Sequence, residues 1–380
     1  MKIAILTLPL HSNYGGIIQN YALQTVLEKM GHEVYTINLN KPKAKINLAK
    51  APLIISKRLI KKILGRKDGI IFLERKRNKD ELVIKKYINR FINNKIHLTE
   101  PFYLKKDLQK INHMGFNSII VGSDQVWRIP YAYPDIQTYF LDFIKNKNIQ
   151  KIAYSASFGT DDIEFSEEQI KECGKLIKDF KRVSVREDSA LDLINNKYKW
   201  ECKYKPIQTL DPTMLLTKEE YINLSSDYKN KLDGELFYYI LDMTEDKKKV
   251  LDQMSKDLGY KPFTVKSISD NWFDDVQKQI VPPIELWLQA FNKAKYIFTD
   301  SFHGCVFSII FNKDFVAYGN KERGLSRFDS LIRMFNIKDR FIYKYEDYSF
   351  SLIQNLINWN NINTIHRKNK LESLELLDID

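Results

Sequence analysis

Short apolar runs alternate with longer amphipathic stretches along the chain, and glycine or polar turns separate them. Residues 2–8 read as a buried strand, Asn13-Tyr14-Gly15-Gly16 as a turn, residues 17–30 as a helix and residues 33–38 as a second strand. Gly31 falls where a helix C-terminus belongs. This βαβ opening predicts a parallel sheet with right-handed crossovers. Strand-like runs resume at residues 118–121, 151–155 and 182–185, each leading into a polar loop, and Leu210-Asp211-Pro212-Thr213 closes the series. A second αβ series begins near residue 219. Its predicted strands are residues 236–241, 261–266 and 295–299, and its predicted helices are residues 247–258, 284–294 and 305–311.

The fold class that follows is α/β, with two Rossmann-like doubly wound domains facing a central cleft. We divide the chain into a first domain over 1–213, a second over 214–345, and a helical segment over 346–380 that crosses back toward the first. A length of 380 residues agrees with two cores rather than one. Residues 1–8 are apolar like a short signal peptide, yet they lack a long apolar core and run straight into a glycine turn, so a first strand explains them better. The three cysteines, Cys173, Cys202 and Cys305, are far apart and without histidine partners at metal spacing, which argues against disulfides, zinc or any other metal site. No apolar run is long enough to predict a membrane span, and a cytoplasmic location is the expectation.

Charge changes this picture in one place. Residues 41–110 carry 21 Lys+Arg against 6 Asp+Glu, while the remainder carries 39 against 42, so the whole excess of +12 sits in one insert within the first domain. Inside it, residues 52–64 have helical amphipathic spacing with a basic polar face. Two readings stay open: contact with an anionic membrane or a lipid-linked diphosphate at the inner face of the membrane, or a solvated helix packed on the first domain. Nucleic acid is not an expected partner, because no aromatic recognition motif accompanies the basic residues.

Doubly wound folds bind ligands beyond the C-terminal ends of their strands. Five loops fall there: those around Asn13-Tyr14-Gly15-Gly16, Gly122-Ser123-Asp124-Gln125-Val126-Trp127, Ser155-Ala156-Ser157-Phe158-Gly159, Arg186-Glu187-Asp188 and Thr299-Asp300-Ser301-Phe302-His303-Gly304. Ser301 sits between a buried strand and an apolar helix, where free backbone N–H groups attract a phosphate or carboxylate. His303 on the same turn suits a general acid, and Gly304 allows close approach of a ligand to the backbone. Arg186 ends a strand, where its planar fork can clamp a carboxylate or phosphate. Asp124 can accept a sugar hydroxyl. Structural alternatives are a core histidine bonded to a carbonyl, a surface salt bridge from Arg186 to Glu187 or Asp188, and an Asp124 that caps its own turn. The glycines at 15 and 16 do not make a full dinucleotide fingerprint. Asp161-Asp162 and Asp274-Asp275 read as solvated caps rather than metal ligands.

In order and spacing, these motifs, together with Leu210-Asp211-Pro212-Thr213 and Arg323-Gly324-Leu325-Ser326-Arg327, resemble the polysaccharide pyruvyl transferase family over nearly the whole chain. The resemblance implies a GT-B-like fold and a transferase with phosphoenolpyruvate as donor substrate and no other cofactor. The product would be a pyruvate ketal on a sugar of a surface polysaccharide or its lipid-linked precursor. It implies His303 and Arg186 as catalytic residues, with Ser301, Gly304, Arg323 and Arg327 on the donor side. Asn13, Gly15, Gly16, Asp124, Gln125 and Ser157 would lie on the acceptor side. Some members carry arginine between the motif's serine and histidine, where this chain has Phe302. Two other readings remain: a GT-B glycosyltransferase that uses a nucleotide sugar, and a non-catalytic membrane- or polyanion-binding protein driven by residues 41–110.

Overall fold

The computed structural model of the chain describes residues 1–10, 13–66, 68–229, 232–319 and 324–379. Six parallel strands form the first sheet: β1 (Lys2–Leu6), β2 (Glu33–Thr36), β3 (Ser118–Asp124), β4 (Gln150–Ala156), β5 (Phe180–Val185) and β6 (Ile207–Gln208), in the order β2-β1-β3-β4-β5-β6. Five more form the second: β7 (Leu236–Tyr239), β8 (Pro262–Phe263), β9 (Tyr296–Thr299), β10 (Asp314–Tyr318) and β11 (Phe341–Ile342), in the order β11-β10-β9-β7-β8. Both sheets wind outward in two directions from a pair of inner strands. The reversal falls between β1 and β3 in the first sheet and between β7 and β9 in the second. Those two crevices are where such folds bind ligands.

The strands are apolar on both faces because helices cover both faces. Ile3 and Ile5 point into one core, while Ala4 and Leu6 point into the other. The core around Ile3 and Ile5 is continuous with the inner side of the second sheet through Phe237, Ile297 and Phe315. Helix 14–29 and helix 284–293 meet inside it, where the Tyr14 and Trp287 rings lie 5.5 Å apart and the Tyr14 hydroxyl donates to the carbonyl of Pro282 at 2.7 Å. The last helix, 359–377, returns to the first sheet. Arg182 on β5 donates to the carbonyls of Glu375, Leu376 and Asp378, closing that helix's C-terminus, and Ser373 accepts the amide of Leu210.

Some elements differ from the sequence expectation. The first strand stops at Leu6, and the strand expected over 261–266 shortens to Pro262–Phe263. Helix 302–310 begins three residues earlier than expected, which brings His303 and Gly304 into its first turn. Strands β6, β10 and β11 and helix 326–335 carry too short or too mixed a pattern to be anticipated. Within the basic insert, helix 86–95 buries Ile88, Phe91 and Ile92. Helix 51–63 buries none of its side chains and so does not pack into the first domain's core.

Candidate functional site

Ser301 is the cap of helix 302–310. Its backbone is extended, and its hydroxyl accepts the amide of Gly304 at 3.4 Å. The amides of Phe302 and His303 have no carbonyl within the helix to bond, so the helix presents them at its mouth. Gly304 is needed for packing. A Cβ there would stand 2.1 Å from the Thr299 hydroxyl, which already bridges the Tyr239 carbonyl and the Ser301 amide. With its amide given to Ser301, Gly304 lets the helix sit close on the end of β9; the sequence expectation had it facing the donor. Asp300 fixes the opposite side of the crevice: its carboxylate accepts the amides of Leu241 and Asp242 and pairs with buried Lys247 at 2.7 Å.

A small cavity of about 50 Å³ opens where the two crevices face each other. Its walls include Asn13, Asp124 and Gln125 from the first domain and Ser301, His303 and Arg327 from the second. Six of the residues singled out in the sequence therefore meet here. A second cavity of about 250 Å³, on the first domain's side, shares Asn13, Asp124, Gln125 and Tyr131 with it and adds Gly16 and Lys41. Gly15 lies elsewhere. A Cβ on it would stand 2.0 Å from His303 Nδ1, so its missing side chain makes room for the imidazole. Ser157 does not reach either cavity; it is fully buried and donates to Glu187 Oε1 at 2.9 Å. Arg323 lies outside the described residues.

Behind the small cavity stands a buried ionic cluster whose centre the sequence reading left without a role. Asp211, capping the turn 212–215, presents Oδ2 to Arg186 Nη1 at 3.0 Å and to His303 Nε2 at 3.7 Å. Its other oxygen accepts the Thr213 amide and hydroxyl. Burial alone would raise the Asp211 carboxyl. The close approach and charge of His303 and the charge of Arg186 outweigh it and hold the group well below the ordinary carboxylate range. Arg186 also reaches Asp124 Oδ1 at 3.4 Å, and its guanidinium lies 4.6 Å from the centre of the Phe302 ring. Burial opposes its charge, and Asp124 and Asp211 more than restore it. Arg186 thus stands behind the wall, bound to two carboxylates, where the sequence predicted a clamp on the ligand itself. Its partners are all buried: besides Asp211 and Asp124, Glu187 stands 4.0 Å from its Nε, so the pairing with Glu187 lies in the interior and not on the surface.

Arg327, in the first turn of helix 326–335, is also buried but takes the cavity side of this arrangement. It lines the small cavity, with its guanidinium 5.7 Å from the Phe302 ring centre. Burial first, and the charge of Arg186 second, push its pKa down to about 10. A cation held in such a place gains from an anion beside it. Both guanidiniums thus pack against the one apolar ring of Phe302. The site therefore offers helix-mouth amides, an arginine and a histidine to an anionic ligand, beside the carboxylate of Asp124.

Comparison with known proteins fits this geometry. Residues 13–322 match the model of the polysaccharide pyruvyl transferase family. Among solved structures, the UDP-GlcNAc 2-epimerase of Methanocaldococcus jannaschii is similar over 98% of this chain and 100% of its own, at 13% identity and a TM-score of 0.53. The UGT89C1 of Arabidopsis thaliana, solved with UDP-L-rhamnose, is similar over 99% of this chain and 98% of its own, at 9% identity and a TM-score of 0.49. No curated protein matches the chain. The epimerase likeness is one of fold, and the fold is the two-domain α/β arrangement of the GT-B type. With the family's motifs gathered at the facing crevices and its model spanning most of the sequence, the chain belongs to the polysaccharide pyruvyl transferase family and is a transferase.

Proposed function

We propose that the chain transfers the enolpyruvyl unit of phosphoenolpyruvate to a sugar of a surface polysaccharide or its lipid-linked precursor, closing a pyruvate ketal, and that it works at the inner face of the membrane. The observation that carries this reading is the meeting of His303, Arg327 and the open amides of Phe302 and His303 on one cavity that faces Asp124. Phosphoenolpyruvate brings a carboxylate and a phosphate close together and needs two anchors rich in N–H groups. Arg327 and the helix mouth are those anchors. His303 protonates the enol methylene, which makes the neighbouring carbon electrophilic. One sugar hydroxyl adds to that carbon, a second displaces inorganic phosphate, and the two hydroxyl protons leave with the phosphate and to the histidine. Asp124 orients the acceptor from the first domain. Asp211 and Arg186 act as positioning residues that hold His303 toward the cavity.

The test is phosphoenolpyruvate-dependent release of inorganic phosphate in the presence of pooled surface glycans, with thermal stabilisation by phosphoenolpyruvate measured against a panel of nucleotide sugars. We expect stabilisation by phosphoenolpyruvate, and a fall in turnover of at least about a hundredfold in His303→Ala. Stabilisation by a nucleotide sugar alone, or a near-wild-type rate in that variant, overturns the assignment.

A further inference from the structure

Helix 51–63 stands away from both cores and presents apolar side chains to solvent. Leu53, Ile60 and Leu64 recur at intervals of seven and four residues, so they share a face, with Ile63 beside them. Their exposures are 60%, 57%, 69% and 77%. Single exposed leucines are ordinary on a protein surface, but a stripe along a whole helix is not.

The stripe is ordered and surrounded by cations. Arg58 donates to both oxygens of Glu74 and to the Ile71 carbonyl, and Lys61 pairs with Asp68, which ties the helix to the following turn. The turn opens a groove of about 580 Å³ with Ile70, Ile71 and Phe72 in its wall and Lys62, Arg75 and Lys79 around it. Among the described residues, Lys57, Lys62, Arg75 and Lys79 form no ion pair, so their charge is turned outward. Phe72 is itself exposed. By the same spacing Lys57 falls within this apolar face, between Leu53 and Ile60, while Lys62 lies on the far side of the helix with Arg75 and Lys79 at the groove. Exposed apolar side chains beside unpaired cations complement one kind of surface, an apolar layer beneath an anionic headgroup plane.

We infer that helix 51–63 and the turn 69–72 dock on an anionic lipid surface, with Leu53, Ile60, Ile63 and Leu64 entering the acyl boundary and the lysines meeting headgroup phosphates. This deepens the reading of the protein as one that works at the membrane face, and it names the surface that does so.

The test is co-sedimentation of the full chain with vesicles of mixed phosphatidylglycerol and phosphatidylcholine, against vesicles of phosphatidylcholine alone, at low and high salt. Binding to the anionic vesicles should exceed binding to neutral ones by at least about tenfold and fall with salt. The combined change Leu53→Asp, Ile60→Asp and Leu64→Asp should lower it by at least about tenfold. Lys57→Glu with Lys62→Glu should abolish the preference for anionic lipid. Because this helix buries no side chain, a thermal melt of each variant should match the wild type. Equal binding to both vesicle types, or retention by the aspartate variant, overturns the inference. So does a wild-type dimer that the aspartate variant dissociates without any vesicle binding, or heparin binding that the aspartate variant keeps in full. His303→Ala should bind vesicles like the wild type, so a failed chemistry and a failed docking surface give different results.

Discussion

Replacing Gly15 by alanine separates the position of His303 from the stability of the fold. Gly15 lies in the first turn of helix 14–29 with ordinary helical backbone, so alanine meets no conformational penalty there and favours the helix by up to about 1 kcal/mol. Its Cβ, however, would stand 2.0 Å from His303 Nδ1 and 2.3 Å from Cγ, whereas ordinary contact begins near 3.4 Å. The imidazole must retreat by roughly 1.4 Å, the difference between those distances. Overpacking of this kind costs about 1–3 kcal/mol, which offsets the helix gain and leaves the melting temperature little changed or slightly lowered. A displacement of that size at a reacting group lowers turnover about a hundredfold. The assay is phosphate release together with thermal melts of Gly15→Ala, His303→Ala and the double variant. Once the ring is gone the alanine methyl occupies its space, so Gly15→Ala turns stabilising in the His303→Ala background, with a coupling of about 1–3 kcal/mol. Additive melts, or full activity in Gly15→Ala, refute the reasoning.

Two further outcomes follow from the buried groups. Arg186→Met leaves Asp124 and Asp211 without their shared cation, and urea unfolding should show a loss of about 3–5 kcal/mol; a loss below about 1 kcal/mol shows that the cluster tolerates an unbalanced charge. His366, on helix 359–377, has its pKa lowered by burial against the opposing bond to the Met214 carbonyl at 2.7 Å. The unfolded chain therefore takes up the proton more readily, and this contribution to stability is complete above about pH 6.5 and lost as pH falls below it. Melting temperatures at pH 7.5 and 5.5 should diverge less in His366→Gln than in the wild type, and an equal divergence in both assigns the acid sensitivity elsewhere.

How much of this could be read from the chain depends on how local each signal is. Strand β1, its glycine turn and helix 14–29 were legible because alternation, turn and helical spacing follow one another within about 30 residues. Ser301 and His303 were legible for the same reason, standing between an apolar strand and an apolar helix. Asp211 was visible only as part of a motif. Its partnership with Arg186 and His303 depends on the ends of β5 and β9, in different domains, converging on one carboxylate, and no local pattern encodes that. The same convergence turned Arg186 inward and Gly15 against the histidine. Ser157 faces the buried Glu187 because that carboxylate also accepts the amides of Phe158 and Gly159, a loop-folding demand that the sequence does not announce. The amphipathic pattern of residues 52–64 was plain, but which neighbour its apolar side would meet was a question of tertiary placement.

The return of the last helix to β5 bears on how the molecule is made. A chain emerges from the ribosome with its first sheet complete long before residues 359–377 appear, and until they do Arg182 has no carbonyls to close and the amide of Leu210 has no hydroxyl to meet. Leu376, Leu377 and Ile379 also belong to the core shared by both halves. The amino-terminal half therefore waits, with apolar surface uncovered, for the final turns of helix to seal it. Helix 359–377 is thus the element that completes the fold.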